Sequence, residues 1–255
     1  MKLNYQSTGA GEVVILMHGV FGSLSNLASV GRALATDYRV LAVDLRNHGL
    51  SAHDEVMNYQ VMAADIVELM DDLSVDKAYL LGHSMGGKVG MQIALNYPSR
   101  VSGLIVGDIA PVTYAASHDV VIDGLRALVD ASLESRKQAN EILSGFVKEE
   151  GVRGFLLKNL YRTEGGSFSL RLNLDAVEAS YYDYLSLAPV GTPYTGPVLF
   201  IKGENSAYIQ EKHREAVSAL FPQAELKIIS DTGHWLHAEK PDSFNRLVGQ
   251  FLKQA

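Results

Sequence analysis

Six short apolar runs rich in β-branched residues punctuate the chain, at 13–17, 39–43, 77–81, 101–106, 198–201 and 225–229. Runs of this length, closed by turn residues, predict buried strands of a parallel sheet. Helical periodicity separates most of them, at 26–34, 59–73, 85–97 and 211–220, and Pro241 opens a last helix to 252. Strand and helix alternating in this order predict an α/β fold with a mostly parallel, doubly wound sheet.

One stretch breaks the alternation. From 112 to 193 the pattern is amphipathic and helical, at 118–131, 135–148, 152–161 and 175–187, with no buried strand run. It reads as an inserted helical cap over the carboxyl edge of the sheet, dividing the chain into a core of 1–111 and 194–255 and a cap of 112–193. The glycine- and proline-rich stretch 191–197 returns the chain to the core. Leu128, Phe146, Phe155, Leu156, Tyr181 and Tyr182 are candidates to line an acyl pocket, although an apolar helix face more often serves ordinary packing.

Composition narrows the classes of function. With 255 residues, 47% of them hydrophobic, the chain has material for one large α/β domain carrying an insertion. A formal charge of −7 and the lack of a Lys/Arg cluster argue against a nucleic-acid partner. No apolar run reaches membrane-spanning length, and the first residues lack the apolar core of a signal peptide, so a cytoplasmic location is expected. Without cysteine there is no thiolate nucleophile or thiolate metal site, which leaves serine as the natural nucleophile.

Such a serine stands in Leu80-Leu81-Gly82-His83-Ser84-Met85-Gly86-Gly87. The G-x-S-x-G spacing is loose alone, but here it lies between the strand run 77–81 and the helix 85–97, with another strand run at 101–106. A strand-to-helix turn of this kind strains the serine backbone and exposes its Oγ, while the flanking glycines admit neighbouring segments where a Cβ would clash. Ser84 is therefore the candidate nucleophile.

A neutral hydroxyl needs a base, and histidine suits that task near neutral pH. Of eight histidines, His234 follows the last strand run on a loop, in Ser230-Asp231-Thr232-Gly233-His234-Trp235. His237 has no evident further metal ligands and takes a surface or packing role, while His83 and His48 suit hydrogen bonding at turns. The acid that orients the base has two candidates. The loop after the run 198–201 offers Glu204, directly behind Gly203, and no aspartate. Asp108, in Val106-Gly107-Asp108-Ile109-Ala110-Pro111, is enclosed by apolar residues, and burying an unpaired carboxylate costs several kcal/mol. Asp108 is favoured on position and environment, with Glu204 as the alternative. Oxyanion donors are expected from the backbone N–H of Met85, at the helix start, and of Val20 in Met17-His18-Gly19-Val20-Phe21-Gly22, with Phe21 as the near alternative.

Together these motifs resemble the α/β-hydrolase superfamily over nearly the whole chain, including Asp44-Leu45-Arg46-Asn47-His48-Gly49-Leu50-Ser51 as a D-x-R-x-H-G-x-S loop. More narrowly, His18 to Ser23, Arg46 to Gly49, Gly82 to Lys88, Asp108 to Pro111 and Gly233 to Trp235 resemble the YbfF-type esterases. The resemblance implies Ser84, Asp108 and His234 as a triad, with the acid after the sixth strand of the superfamily sheet. It also implies hydrolysis of carboxylic esters or acyl thioesters of small to medium acyl chain, without a metal or organic cofactor. The rival readings are carbon–carbon bond hydrolysis on the same triad and a slow-turnover ligand sensor. The oligomeric state has no signature in the motifs.

Overall fold

The computed structural model describes residues 1–115 and 117–254. Seven strands form the main sheet: β1 (Tyr5–Thr8), β2 (Val13–Met17), β3 (Arg39–Val43), β4 (Ala78–His83), β5 (Val101–Gly107), β8 (Val198–Gly203) and β9 (Ala224–Ile229). Their order is β1-β3-β2-β4-β5-β8-β9, with β1 antiparallel to β3 and every other pairing parallel. The parallel order requires helical crossovers, and these cover both faces.

Side-chain alternation along β2 sends Ile15 and Met17 to one face and Val14 and Leu16 to the other. The first face packs against α2 (Tyr59–Asp72), α3 (Met85–Asn96) and α8 (Arg214–Leu220), through Met62, Ile66, Val89, Ile93 and Val217. The second packs against α1 (Ala28–Leu34) and α10 (Pro241–Leu252), through Val30, Leu34, Phe244 and Val248. Asn58 caps α2 by accepting from the Val61 N–H at 2.9 Å, and Pro241 stands at the start of α10, where its missing N–H costs nothing. A four-residue helix, α9 (Leu236–Glu239), precedes α10.

Between β5 and β8 lie α4 (Asp119–Asp130), α5 (Arg136–Ser144), α6 (Glu150–Leu156) and α7 (Leu174–Ser180), the last running into a π-helical turn at Tyr181–Leu185. Two expectations need correction. The helix expected at 152–161 ends at Leu156, and the chain goes on through a 3-10 turn into a hairpin of β6 (Leu160–Arg162) and β7 (Phe168–Leu170). The hairpin turns at Gly165-Gly166, where Gly166 adopts φ 86° and its N–H donates to Thr163 O at 3.0 Å. The run 225–229, expected to be buried, is the edge strand β9, on which Glu225 to Ile228 are exposed and Ile229 is buried.

Candidate active site

The carboxyl ends of β4, β5 and β8 and the loop after β9 converge on one point. Ser84 follows β4 at φ 54°, ψ −119°, a region L-residues rarely occupy. Its N–H donates to Gly107 O at 2.9 Å, and its carbonyl accepts from the Lys88 N–H at 3.1 Å as α3 begins. The flanking glycines are required by contact. A Cβ on Gly82 would lie 2.1 Å from Gly86 O, and one on Gly86 would lie 2.2 Å from Met17 O, both backbone atoms. The turn can close this tightly only with bare α-carbons.

Asp108 follows β5, fully buried, also at positive φ (51°). Its Oδ2 accepts from His234 Nδ1 at 2.8 Å and from the Ser206 hydroxyl, and its Oδ1 accepts from the Gly203 N–H at 3.1 Å. Three donors meet the carboxylate, which is how a buried charge is made tolerable. Because a carboxylate only accepts, His234 carries its hydrogen on Nδ1 and leaves Nε2 as the basic nitrogen. The His234 ring stacks on Tyr208, centroids 4.1 Å apart, and its carbonyl bonds His83 Nε2 at 2.7 Å. His83, the residue preceding Ser84, thereby ties the end of β4 to the loop of His234. Ser84 Oγ makes no hydrogen bond to His234 among the described residues; in ligand-free sites such bonds often close only around the substrate.

The alternative acid, Glu204, is exposed, and its Oε2 accepts from the Asp231 N–H at 2.9 Å instead of meeting His234. The Phe21 N–H is also occupied. It donates to His48 Nε2 at 3.2 Å, while His48 Nδ1 bonds Arg46 O at 2.8 Å. Burial pushes the His48 pKa down to about 3, which keeps the ring neutral and Nε2 an acceptor. Val20 and Met85 both line the small cavity beside Ser84.

Residues 12–241 match the family model described as alpha/beta hydrolase fold. The chain belongs to the α/β-hydrolase family. This hydrolase is 39% identical over 258 residues to esterase YbfF of Escherichia coli (strain K12), across 99% of each chain. It is 41% identical over 248 residues to the sn-1-specific diacylglycerol lipase ABHD11 of Mus musculus, covering 94% of this chain and 80% of that one. A solved marine microorganism esterase superposes with a TM-score of 0.95 at 35% identity, over 98% of this chain and 99% of that one. The chain is thus an α/β hydrolase of the esterase/lipase type.

In this hydrolase the cavity at Ser84 has a volume of about 50 Å³ and is walled by Tyr59, Ile109, Tyr114, His118, Tyr181 and Tyr208 among others. Burial, with the nearby His234, lowers the His118 pKa to about 4, and burial raises those of Tyr59 and Tyr114. The aromatic walls are uncharged at neutral pH, while burial lowers the pKa of Lys88, which also lines the cavity, to about 7. Of the six pocket candidates read from the intervening stretch, Tyr181 lines this cavity. Leu128 and Leu156 are packed in the core, Phe146 and Tyr182 are exposed, and Phe155 sits half-buried with its ring 6.1 Å from that of Trp235. The reason is helical geometry: an apolar face is spent on the neighbouring helix before any of it reaches the cavity.

Three residues at the site went unread in the sequence. Ser206 and Tyr208 lie on the loop after β8, and a hydroxyl there carries no sequence sign that it will reach Asp108. Lys88, one helical turn after Ser84, was legible only as part of a motif. Among the described residues, no group of three or more His, Cys, Asp or Glu side chains is arranged to hold a metal ion.

Proposed function

We propose that the chain is a cofactor-independent serine hydrolase that cleaves carboxylic esters, and acyl thioesters, of small acyl groups through an acyl-enzyme. Ser84 Oγ attacks the carbonyl carbon while His234 Nε2 takes its proton. The tetrahedral oxyanion is held by the N–H groups of Val20 and Met85. As it collapses, His234 returns the proton to the leaving oxygen or sulfur, and the acyl group stays on Ser84. Water, deprotonated by His234, then releases the acid, and Asp108 stabilises the imidazolium at both stages.

The observation that carries this reading is the 2.8 Å bond from His234 Nδ1 to buried Asp108, which gives the base its tautomer beside a strained serine. Two further features support it. Phe21 is committed to His48, which leaves Val20 as the donor on that loop. The cavity is small and largely aromatic, suited to a short acyl group. In this reading residues 1–111 and 194–255 form the hydrolase core, and 112–193 form a cap that closes the acyl side of the site.

Fluorophosphonate labelling followed by peptide mapping tests the nucleophile, alongside hydrolysis of paired p-nitrophenyl esters and acyl thioesters. The expected result is one adduct on Ser84 and loss of both activities in Ser84→Ala. An adduct elsewhere would overturn the mechanism, and hydrolysis of only one substrate type would fix the leaving atom.

A further inference from the structure

The main sheet ends in two edges of unlike character. β1 shows solvent the polar run Gln6, Ser7 and Thr8 beside Tyr5. β9 shows large apolar side chains: Leu226 is 50% exposed and Ile228 56% exposed. Both stand on the face that carries α8, because alternation places them with Ala224, which packs there. α8 is only seven residues long. It leaves an open groove of about 760 Å³ along β9, bordered by Ile209, Val217, Leu226 and Ile228. No proline or bulge blunts this edge, so its outer backbone groups are available for pairing.

The sequence of β9 is complementary to itself. If two copies pair antiparallel about a twofold axis at Leu226, residue 226 faces its equivalent, 224 faces 228, and 225 faces 227. On the α8 face this sets Leu226 against Leu226 and Ala224 against Ile228. On the other face it sets Glu225 against Lys227 twice. Within one strand these two charges already lie 3.4 Å apart, so carboxylate and ammonium project on the same side and can engage across the strand as well. A charged edge ordinarily repels its own copy; here opposite signs two positions apart turn that protection into a specific match.

We infer that β9 is the docking edge for a second copy of this chain, joining two seven-stranded sheets into one continuous sheet with Leu226 on the twofold axis. The paired α8 helices flank the Leu226 and Ile228 cluster and close the groove. Ser84, at the carboxyl end of β4, is separated from this edge by β5 and β8 and stays accessible in both copies.

Sedimentation equilibrium on the full chain tests the interface. Wild type is expected to be dimeric at micromolar concentration. Glu225→Lys and Lys227→Glu each place like charges opposite one another and are expected to be monomeric, with unchanged far-UV circular dichroism and ester hydrolysis. Mixing the two monomeric variants restores opposite charges at both positions, so a heterodimer is expected, as is a homodimer of the double exchange Glu225→Lys/Lys227→Glu. A monomeric wild type overturns the inference. So does a dimer that survives both single changes, or failure of the mixed variants to associate.

Discussion

At the scale of single residues, the environment of one carboxylate decides how the His234 ring is held. Asp108 is enclosed, meets three donors and bonds the ring of His234, whereas Glu204 lies in solvent with its oxygen on the Asp231 N–H. An amide in place of the Asp108 carboxylate keeps the shape but favours the wrong histidine tautomer. Asp108→Asn is therefore expected to lower kcat for p-nitrophenyl ester hydrolysis by about 10⁴. Glu204→Gln is expected to leave kcat unchanged, and equal losses in the two variants would return the acid to Glu204. In the proposed mechanism Ser206, whose hydroxyl donates to Asp108, is a positioning residue. The preference for Asp108 was legible in the sequence because an acid at a strand end among apolar residues needs a partner. The preference for Val20 over Phe21 rests on a hydrogen bond to His48, across 27 positions, that no local pattern encodes.

At the scale of elements, the β4–turn–α3 unit was readable because everything it needs is local. Strand run, glycine spacing and helix periodicity lie within twenty residues. Local geometry makes opposite predictions for a glycine of this unit and a glycine of α6. Gly86→Ala drives a Cβ to 2.2 Å from the Met17 carbonyl, a backbone contact that no rotamer relieves. It is expected to lower stability by at least about 1–3 kcal/mol, read as a fall in the urea midpoint. Gly154, within α6, is exposed and has nothing within 4 Å of the position a Cβ would take. Gly154→Ala is expected to raise the midpoint, by about 0.5–1 kcal/mol, through helix propensity alone. A rise in both would show that the elbow is slack. The β6–β7 hairpin was not readable, since each strand is three residues long and Phe168 bridges to distant Leu133 as well. The exposure of β9 was missed for a similar reason: a run of Leu and Ile looks the same at an edge as in the middle of a sheet until the strand order is known.

At the scale of the whole molecule, Lys88 joins the core to the stretch that crosses above it. It lies on α3, 2% exposed, and its Nζ donates to Ser186 O at 3.0 Å and to Leu187 O, while the rings of Tyr59 and Tyr114 stand 5.5 and 4.9 Å away. Burial lowers its pKa to about 7, from 10.5 for a lysine in water. A neutral amine keeps two N–H groups, enough for both carbonyls, so the tether survives loss of the charge. Between pH 7 and about 10 the unfolded chain holds this proton and the folded chain has released it. Stability from this group therefore rises with pH across that window; below pH 7 both states are protonated and the burial penalty is constant. Lys88→Met removes the titration. The stability difference between wild type and Lys88→Met is accordingly expected to shift toward wild type as pH rises from 7 to 10, by at most about 1.4 kcal/mol per pH unit. Urea unfolding of both proteins across this range measures it, and comparing the pair cancels every other titrating group. A difference that stays flat would mean that Lys88 keeps its charge in the fold and holds the crossing segment as an ordinary ammonium.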